Sequence, residues 1–221
     1  MLCHRLAIAL FVTLSAPVAA QTPDTAAAPP TTAPAPRTDT VRVTLQTALG
    51  PIVLELEAGR APVTTANFLR YVDEKRLDGS SIYRSAKVQE GFGLIQGGLR
   101  NDPKKVLPDI AHEPTSKTGL KHEDGTISMA RAAPGTASSD FFISVGAMPS
   151  MDADPSQPGD NQGFAAFGRV VEGMDVVRRI LDAPTSPTEG EGPMRGQMLS
   201  PAVTIATARR TPASAPAPAG E

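Results

Sequence analysis

Two His-Glu pairs, His112-Glu113 and His122-Glu123, are the first residues whose types suggest chemistry. Zinc-dependent hydrolysis on a helix needs a second histidine four residues after the first, on the same face, with the glutamate as base. Neither pair has it, and both histidines read as surface-loop residues. Gly91-Phe92-Gly93 runs on into Leu94-Ile95-Gln96, so a dinucleotide-binding loop fails at its last glycine. Asp152-Ala153-Asp154 has Gln157 where a calcium loop turns on glycine, and no glutamate closes it. No nucleophile-elbow serine is present. The one cysteine, Cys3, stands ahead of an apolar run expected to be removed, which excludes a thiol nucleophile or a Cys-ligated metal in the mature chain. Hydrolase and metalloenzyme readings fail, and neither a metal nor a cofactor is expected. No residue type or spacing marks a covalent or metal site, so a site here would rest on ordinary polar and apolar side chains.

Such side chains need a rigid frame, and composition says which kind. The chain has 221 residues, 40% hydrophobic and 20% charged, with a formal net charge of −2. That balance excludes a wholly disordered chain, and it offers no basic face to a nucleic acid. With 22 prolines and 19 glycines, short strands and many turns are favoured over a helical bundle. Val41, Val43 and Leu45 alternate with polar residues, as do Ile52, Leu54 and Leu56 after the turn signal Gly50-Pro51, which predicts a β-hairpin with one wet face. From Pro62 to Arg76 the apolar spacing becomes helical, and a second helix is expected from about Met174 until Pro184 stops it. Short apolar runs at 81–83, 94–96, 126–130, 141–145, 165–170 and 203–206 complete a mostly β pattern, an antiparallel barrel or sandwich.

The ends read differently. Residues 1–20 have Arg5, an apolar run from Leu6 to Leu14 and a small-residue close at Val18-Ala19-Ala20, the layout of a signal peptide cleaved before Gln21. The alternative, a membrane anchor, is disfavoured because the run is short for ~30 Å of hydrocarbon. In 21–40, sixteen of twenty residues are Ala, Pro or Thr, which predicts a disordered linker, and 211–221 repeats that composition as a tail. Between them, 41–210 is expected to form one domain, exported to the periplasm or an equivalent compartment, monomeric and with no membrane span once the signal is removed.

Taken in order, Tyr83-Arg84, Leu94-Ile95-Gln96-Gly97-Gly98, Gly125-Thr126-Ile127-Ser128-Met129-Ala130-Arg131, Ser139-Asp140-Phe141-Phe142-Ile143 and the run from Phe164 to Val177 resemble the cyclophilin family of peptidyl-prolyl isomerases. Gly50 to Leu56 and Ala61 to Phe68 are similar to that family's opening hairpin and first helix. The resemblance implies a closed eight-stranded antiparallel β-barrel capped by two α-helices, and proline-containing polypeptides as substrates. It also implies Arg84 as the catalytic guanidinium and Gln96 as a peptide-fixing amide. Met129 and Phe142 would line the proline socket, Ala130-Arg131 would offer edge backbone, and Asp140, Met151 and Phe164 would complete the substrate site.

The chain departs from the family pattern at several points. Gly93 stands where a socket Phe is implied, Asp140 for an amide, Ser150 for a Trp and Phe164 for a rim His. The Arg84–Gln96 interval is four residues longer, and the loop Ala153–Gly163 is expanded. Asp140 is therefore expected to pair with Arg84, in which case Asp140→Gln would raise the rate, or else to turn outward. Three functions compete: an exported prolyl isomerase, a catalytically weak proline-peptide-binding or chaperone module on the same barrel, and a structural envelope domain.

Overall fold

A computed structural model of the chain describes residues 39–100 and 102–211. The signal-peptide expectation for 1–20, the linker up to residue 38 and the tail from 212 lie outside the described residues. Nine strands are present among the described residues: β1 (Thr40–Thr47), β2 (Gly50–Glu57), β3 (Ser80–Gln89), β4 (Phe92–Gly98), β5 (Thr126–Met129), β6 (Phe141–Val145), β7 (Ala165–Glu172), β8 (Thr185–Ser186) and β9 (Met198–Thr211). Three helices accompany them: α1 (Pro62–Asp73), the single turn α2 (Thr115–Thr118) and α3 (Met174–Leu181). Every pairing is antiparallel, in the order β1-β2-β7-β5-β6-β4-β3-β9, and β1 pairs with β9 to close eight strands into a barrel. The two-residue β8 adds to the rim of β9.

The period-two patterns read from sequence are the physical basis of closure. Val43, Leu45, Ile52, Leu54 and Leu56 all point inward and are fully buried, while Arg42, Gln46 and Glu55 face outward or sideways. The opening turn falls at Ala48-Leu49, two residues before the Gly50-Pro51 signal, because Gly50 already pairs with Thr47. Inside, Phe68 of α1 meets Phe141 edge-on at 5.7 Å and Phe167 at 5.3 Å. Val176, Val177, Ile180 and Leu181 of α3 join the same core. Closure also removes the exposed sheet edges that an open sheet of this size would have to protect.

Helix α1 starts at an alanine, Ala61, which has no side-chain cap to give. Glu113, 50 residues beyond Val63 and 2% exposed, does this work. One carboxylate oxygen accepts the Val63 N–H at 3.2 Å, and the other accepts the Thr64 N–H at 2.8 Å and its hydroxyl at 2.7 Å. The carboxylate thus satisfies free N–H groups at the helix's positive end.

Candidate active site

Strand register assembles the site. Arg84 of β3 lies opposite Gln96 of β4, Gln96 opposite Phe142 of β6, and Phe142 opposite Ser128 of β5. Directly paired residues share a sheet face, so four strands present one row: guanidinium, amide, phenyl, hydroxyl. The longer Arg84–Gln96 interval does not disturb it. The extra residues lengthen the β3–β4 hairpin beyond the row, with a register shift between Lys87 and Gln89.

Arg84 is held from two sides. Its Nε donates to Gln197 Oε1 and its Nη1 to Gln96 Oε1, each at 2.8 Å. Gln197 is itself fixed, donating from Nε2 to the Pro193 carbonyl at 3.0 Å, while its own carbonyl accepts the Ser85 N–H at 2.9 Å. Burial pulls the Arg84 guanidinium below its ordinary value, and Tyr83 opposes that shift. Nη2 has no hydrogen-bond partner among the described residues, so it is the donor available to a ligand. Nothing local in the sequence distinguished Gln197; it reaches Arg84 only because β9 pairs with β3.

Beside this cation lies an apolar floor. Leu94, Phe142 and Met148 are buried together, with Ala86, Phe92, Ala130, Met151 and Phe164 packed against them. Phe164 meets Phe142 edge-on at 5.3 Å, and Arg131 lies over the Phe164 ring at 5.1 Å. Arg131 also donates to Asp160 through both Nη atoms and to the Gly163 carbonyl, bracing the expanded loop against the rim. Met129 does not belong to this floor. At 1% exposure it sits in the barrel core, paired with Phe141 on the opposite face from Phe142. The expectation that it lines the socket is corrected by side-chain alternation, since Met129 and Ser128 must face opposite ways.

The expectation for Asp140 is also corrected. Asp140 makes no bond to Arg84; it turns inward, 8% exposed. Its Oδ1 accepts the N–H groups of Leu99 at 2.9 Å and Arg100 at 3.0 Å and the Ser139 hydroxyl at 3.0 Å. Its Oδ2 accepts the Tyr83 hydroxyl at 2.8 Å. Gly98 permits the approach, since a Cβ there would collide with Asp140 Oδ1 and come within 2.7 Å of its Cα. Pairing with Arg84 loses because two successive backbone N–H groups form a ready anion cradle that needs no side chain to be ordered.

His122 is the third correction. It stands in the loop before β5 but is buried, 1% exposed, not a surface histidine. Nδ1 is 2.7 Å from Asp152 Oδ1, Nε2 is 2.8 Å from the Ser128 hydroxyl, and the ring stacks on Phe142 at 5.8 Å with an 11° tilt. The distances are those of a nucleophile, base and orienting acid, yet Ser128 is fully buried and no substrate reaches it. The three instead fasten the floor of the groove from beneath. His112 is half-buried, with Nδ1 buried and Nε2 3.1 Å from the Gln162 carbonyl.

Residues 41–209 match the family model for cyclophilin type peptidyl-prolyl cis-trans isomerases. The chain belongs to the cyclophilin family. A peptidyl-prolyl cis-trans isomerase of Streptomyces antibioticus is 37% identical over 151 residues, covering 67% of this chain and 87% of that protein. One from Acinetobacter baylyi is 34% identical over 145 residues, covering 65% and 73%. In fold, the chain is similar to a cyclophilin of Cryptosporidium parvum solved in the presence of the dipeptide Ala-Pro, with a TM-score of 0.61 at 20% identity, over 77% of this chain and 98% of that one.

One departure from the cyclophilin pattern is repaired nearby. Gly93 supplies no ring, but it sits at φ +155°, where a Cβ would strike the Ala86 carbonyl and lie 2.9 Å from Lys87 Cα. The bulge that this glycine allows brings Phe92 against the floor, over the bare face of Gly146. Ala130, Met151 and Phe164 pack around Phe142, and Gln96 lies opposite Phe142 across β4 and β6. Met148 and Gln197 join them without having been singled out, and Tyr83, Leu94 and His122 join them in places the sequence analysis did not assign.

Proposed function

We propose that this cyclophilin isomerises X–Pro bonds in exported polypeptides and so assists their folding. The observation that carries the reading is the cross-strand row, which sets the free Nη2 of a doubly anchored guanidinium beside an apolar floor. Rotation about an X–Pro bond is slow because it breaks amide resonance, with a barrier of ~18–20 kcal/mol. Phe142, Leu94 and Met148 receive the proline ring and exclude water. Arg84 then donates toward the prolyl nitrogen as it becomes pyramidal, an interaction absent from the planar ground state and therefore effective on turnover. Gln96 and the Ala130-Arg131 backbone hold the flanking peptide. No nucleophile and no proton transfer is needed.

Phe92 on the floor removes one reason to prefer a catalytically weak binding module, and the inward turn of Asp140 leaves Arg84 uncommitted to a counter-charge. Export is supported by the layout of residues 1–20. Exchange NMR on an Ala-Pro peptide, without a coupled protease, tests the activity: wild-type protein accelerates exchange, and absence of acceleration selects the binding reading. N-terminal sequencing of secreted material tests the export, with Gln21 expected first.

A further inference from the structure

Four side chains form one directed chain of hydrogen bonds behind the guanidinium. Asp140 Oδ2 accepts from the Tyr83 hydroxyl; the Tyr83 oxygen accepts from Gln96 Nε2 at 2.8 Å; Gln96 Oε1 accepts from Arg84 Nη1. We infer that Asp140 and Tyr83 are positioning residues that set the orientation of the Gln96 amide, and through it the aim of Arg84. The inference rests on the isomerase reading only for its kinetic consequence.

The direction of the chain follows from what each group can do. With Oδ1 occupied by two backbone N–H groups and the Ser139 hydroxyl, Asp140 offers Oδ2 as a pure acceptor. The Tyr83 proton must therefore point at Asp140. Burial, followed by the charge of Asp140 and its hydrogen bond, pushes the phenol well above its ordinary value, which keeps that proton in place. Arg100 covers the ring at 5.0 Å and closes the side toward solvent. The Tyr83 oxygen is left as an acceptor, so Gln96 presents its NH2 to Tyr83 and its carbonyl to Arg84. A residue two strands away decides which end of an amide faces the guanidinium.

An amide at position 140 would reverse this order. In Asp140→Asn the carbonyl stays on the Leu99 and Arg100 N–H groups, which places the NH2 where Oδ2 was. That NH2 donates to Tyr83, whose proton then has only Gln96 to turn to. Gln96 flips, and its NH2 meets Arg84 Nη1, donor against donor. Tyr83→Phe removes the link, leaving Gln96 to be oriented by Arg84 alone.

The test is a double-mutant cycle read by exchange NMR on one proline peptide. Asp140→Asn is expected to lower kcat about tenfold with KM within about twofold, since what is lost is an interaction made only as the nitrogen pyramidalises. Tyr83→Phe should lose less. Tyr83→Phe/Asp140→Asn should recover to the level of Tyr83→Phe, a rescue that a merely structural role would not produce. Wild-type kcat in Asp140→Asn, or a double variant no faster than Asp140→Asn, overturns the relay. An NOE between the Gln96 side-chain amide protons and the Tyr83 ring, present in wild type and replaced by contacts to Arg84 in Asp140→Asn, reads the flip directly. Its persistence in the variant refutes the relay. Should Asp140→Asn fail to fold, Tyr83→Phe alone decides: faster solvent exchange of the Gln96 amide protons supports the relay, and unchanged exchange overturns it. The NMR readout stands apart from turnover, so an inactive wild type would fell the isomerase reading while leaving the relay to its own result.

Discussion

Glu113 and Asp140 are two buried carboxylates with the same local task and different reach. Each accepts backbone N–H groups from a distant segment: Val63 and Thr64 for Glu113, Leu99 and Arg100 for Asp140. Glu113 turns both oxygens to the first turn of α1, and its influence ends there. Asp140 keeps one oxygen for the phenol of Tyr83, and Gln96 of the cross-strand row lies one hydrogen bond beyond that phenol. A buried carboxylate is a piece of scaffold when all its acceptors close on one helix turn. It becomes part of a site when one acceptor faces a side chain that the site uses.

Removing the end of the row should separate activity from stability most widely. Arg84→Ala is expected to lower kcat/KM by about 10²–10³-fold, the scale of losing one preorganised donor, with the urea midpoint nearly unchanged. Parallel losses of activity and stability would mean that the row also holds the barrel together. Glu113→Ala should do the reverse. Two N–H groups and a hydroxyl lose a charged partner inside the fold, at a cost of about 2–4 kcal/mol in urea unfolding, while kcat/KM of the folded fraction stays at wild type. Asp140→Ala should fall between them, losing about 1–3 kcal/mol of stability from its orphaned N–H groups and slowing turnover as well. If it affects stability alone, the contrast between the two carboxylates collapses.

The smallest expected effect lies beneath the groove. Burial, opposed by the hydrogen bond and charge of Asp152 and aided slightly by Lys121, holds His122 below its ordinary value of 6.5. The unfolded chain therefore binds more protons than the native one once the pH drops under that value, so native stability falls on acidification. Urea unfolding at pH 7.5 and 5.5 should show a decline in wild type that is reduced in His122→Gln. An equal decline in both would assign the acid sensitivity to other groups.

Local signals in the chain were informative about elements and weak about partners. Periodicity at Val41–Leu45, Ile52–Leu56 and Pro62 onward anticipates β1, β2 and α1, because alternation and helical spacing are properties of a few adjacent residues. Phe141-Phe142 shows that one ring must face in and one out, but only pairing with Gln96 tells which. The same parity sends Met129 into the barrel core and Ser128 to the opposite face, beneath the floor formed by Phe142.

By itself, the sequence determined the kinds of side chain available, the strands and helices that hold them, and the ordered motifs that mark the family. Tertiary structure alone decided that Arg84, Gln96, Phe142 and Ser128 share a row, that Asp140 turns to the Leu99–Arg100 cradle and not to Arg84, that His122 is buried, and that Glu113 caps a helix 50 residues before it. Those facts depend on register between strands remote in the chain and on the close approaches that Gly93 and Gly98 permit. Neither leaves a trace in the spacing of neighbouring residues, because the competition is settled by which acceptor a buried donor meets once the barrel has closed.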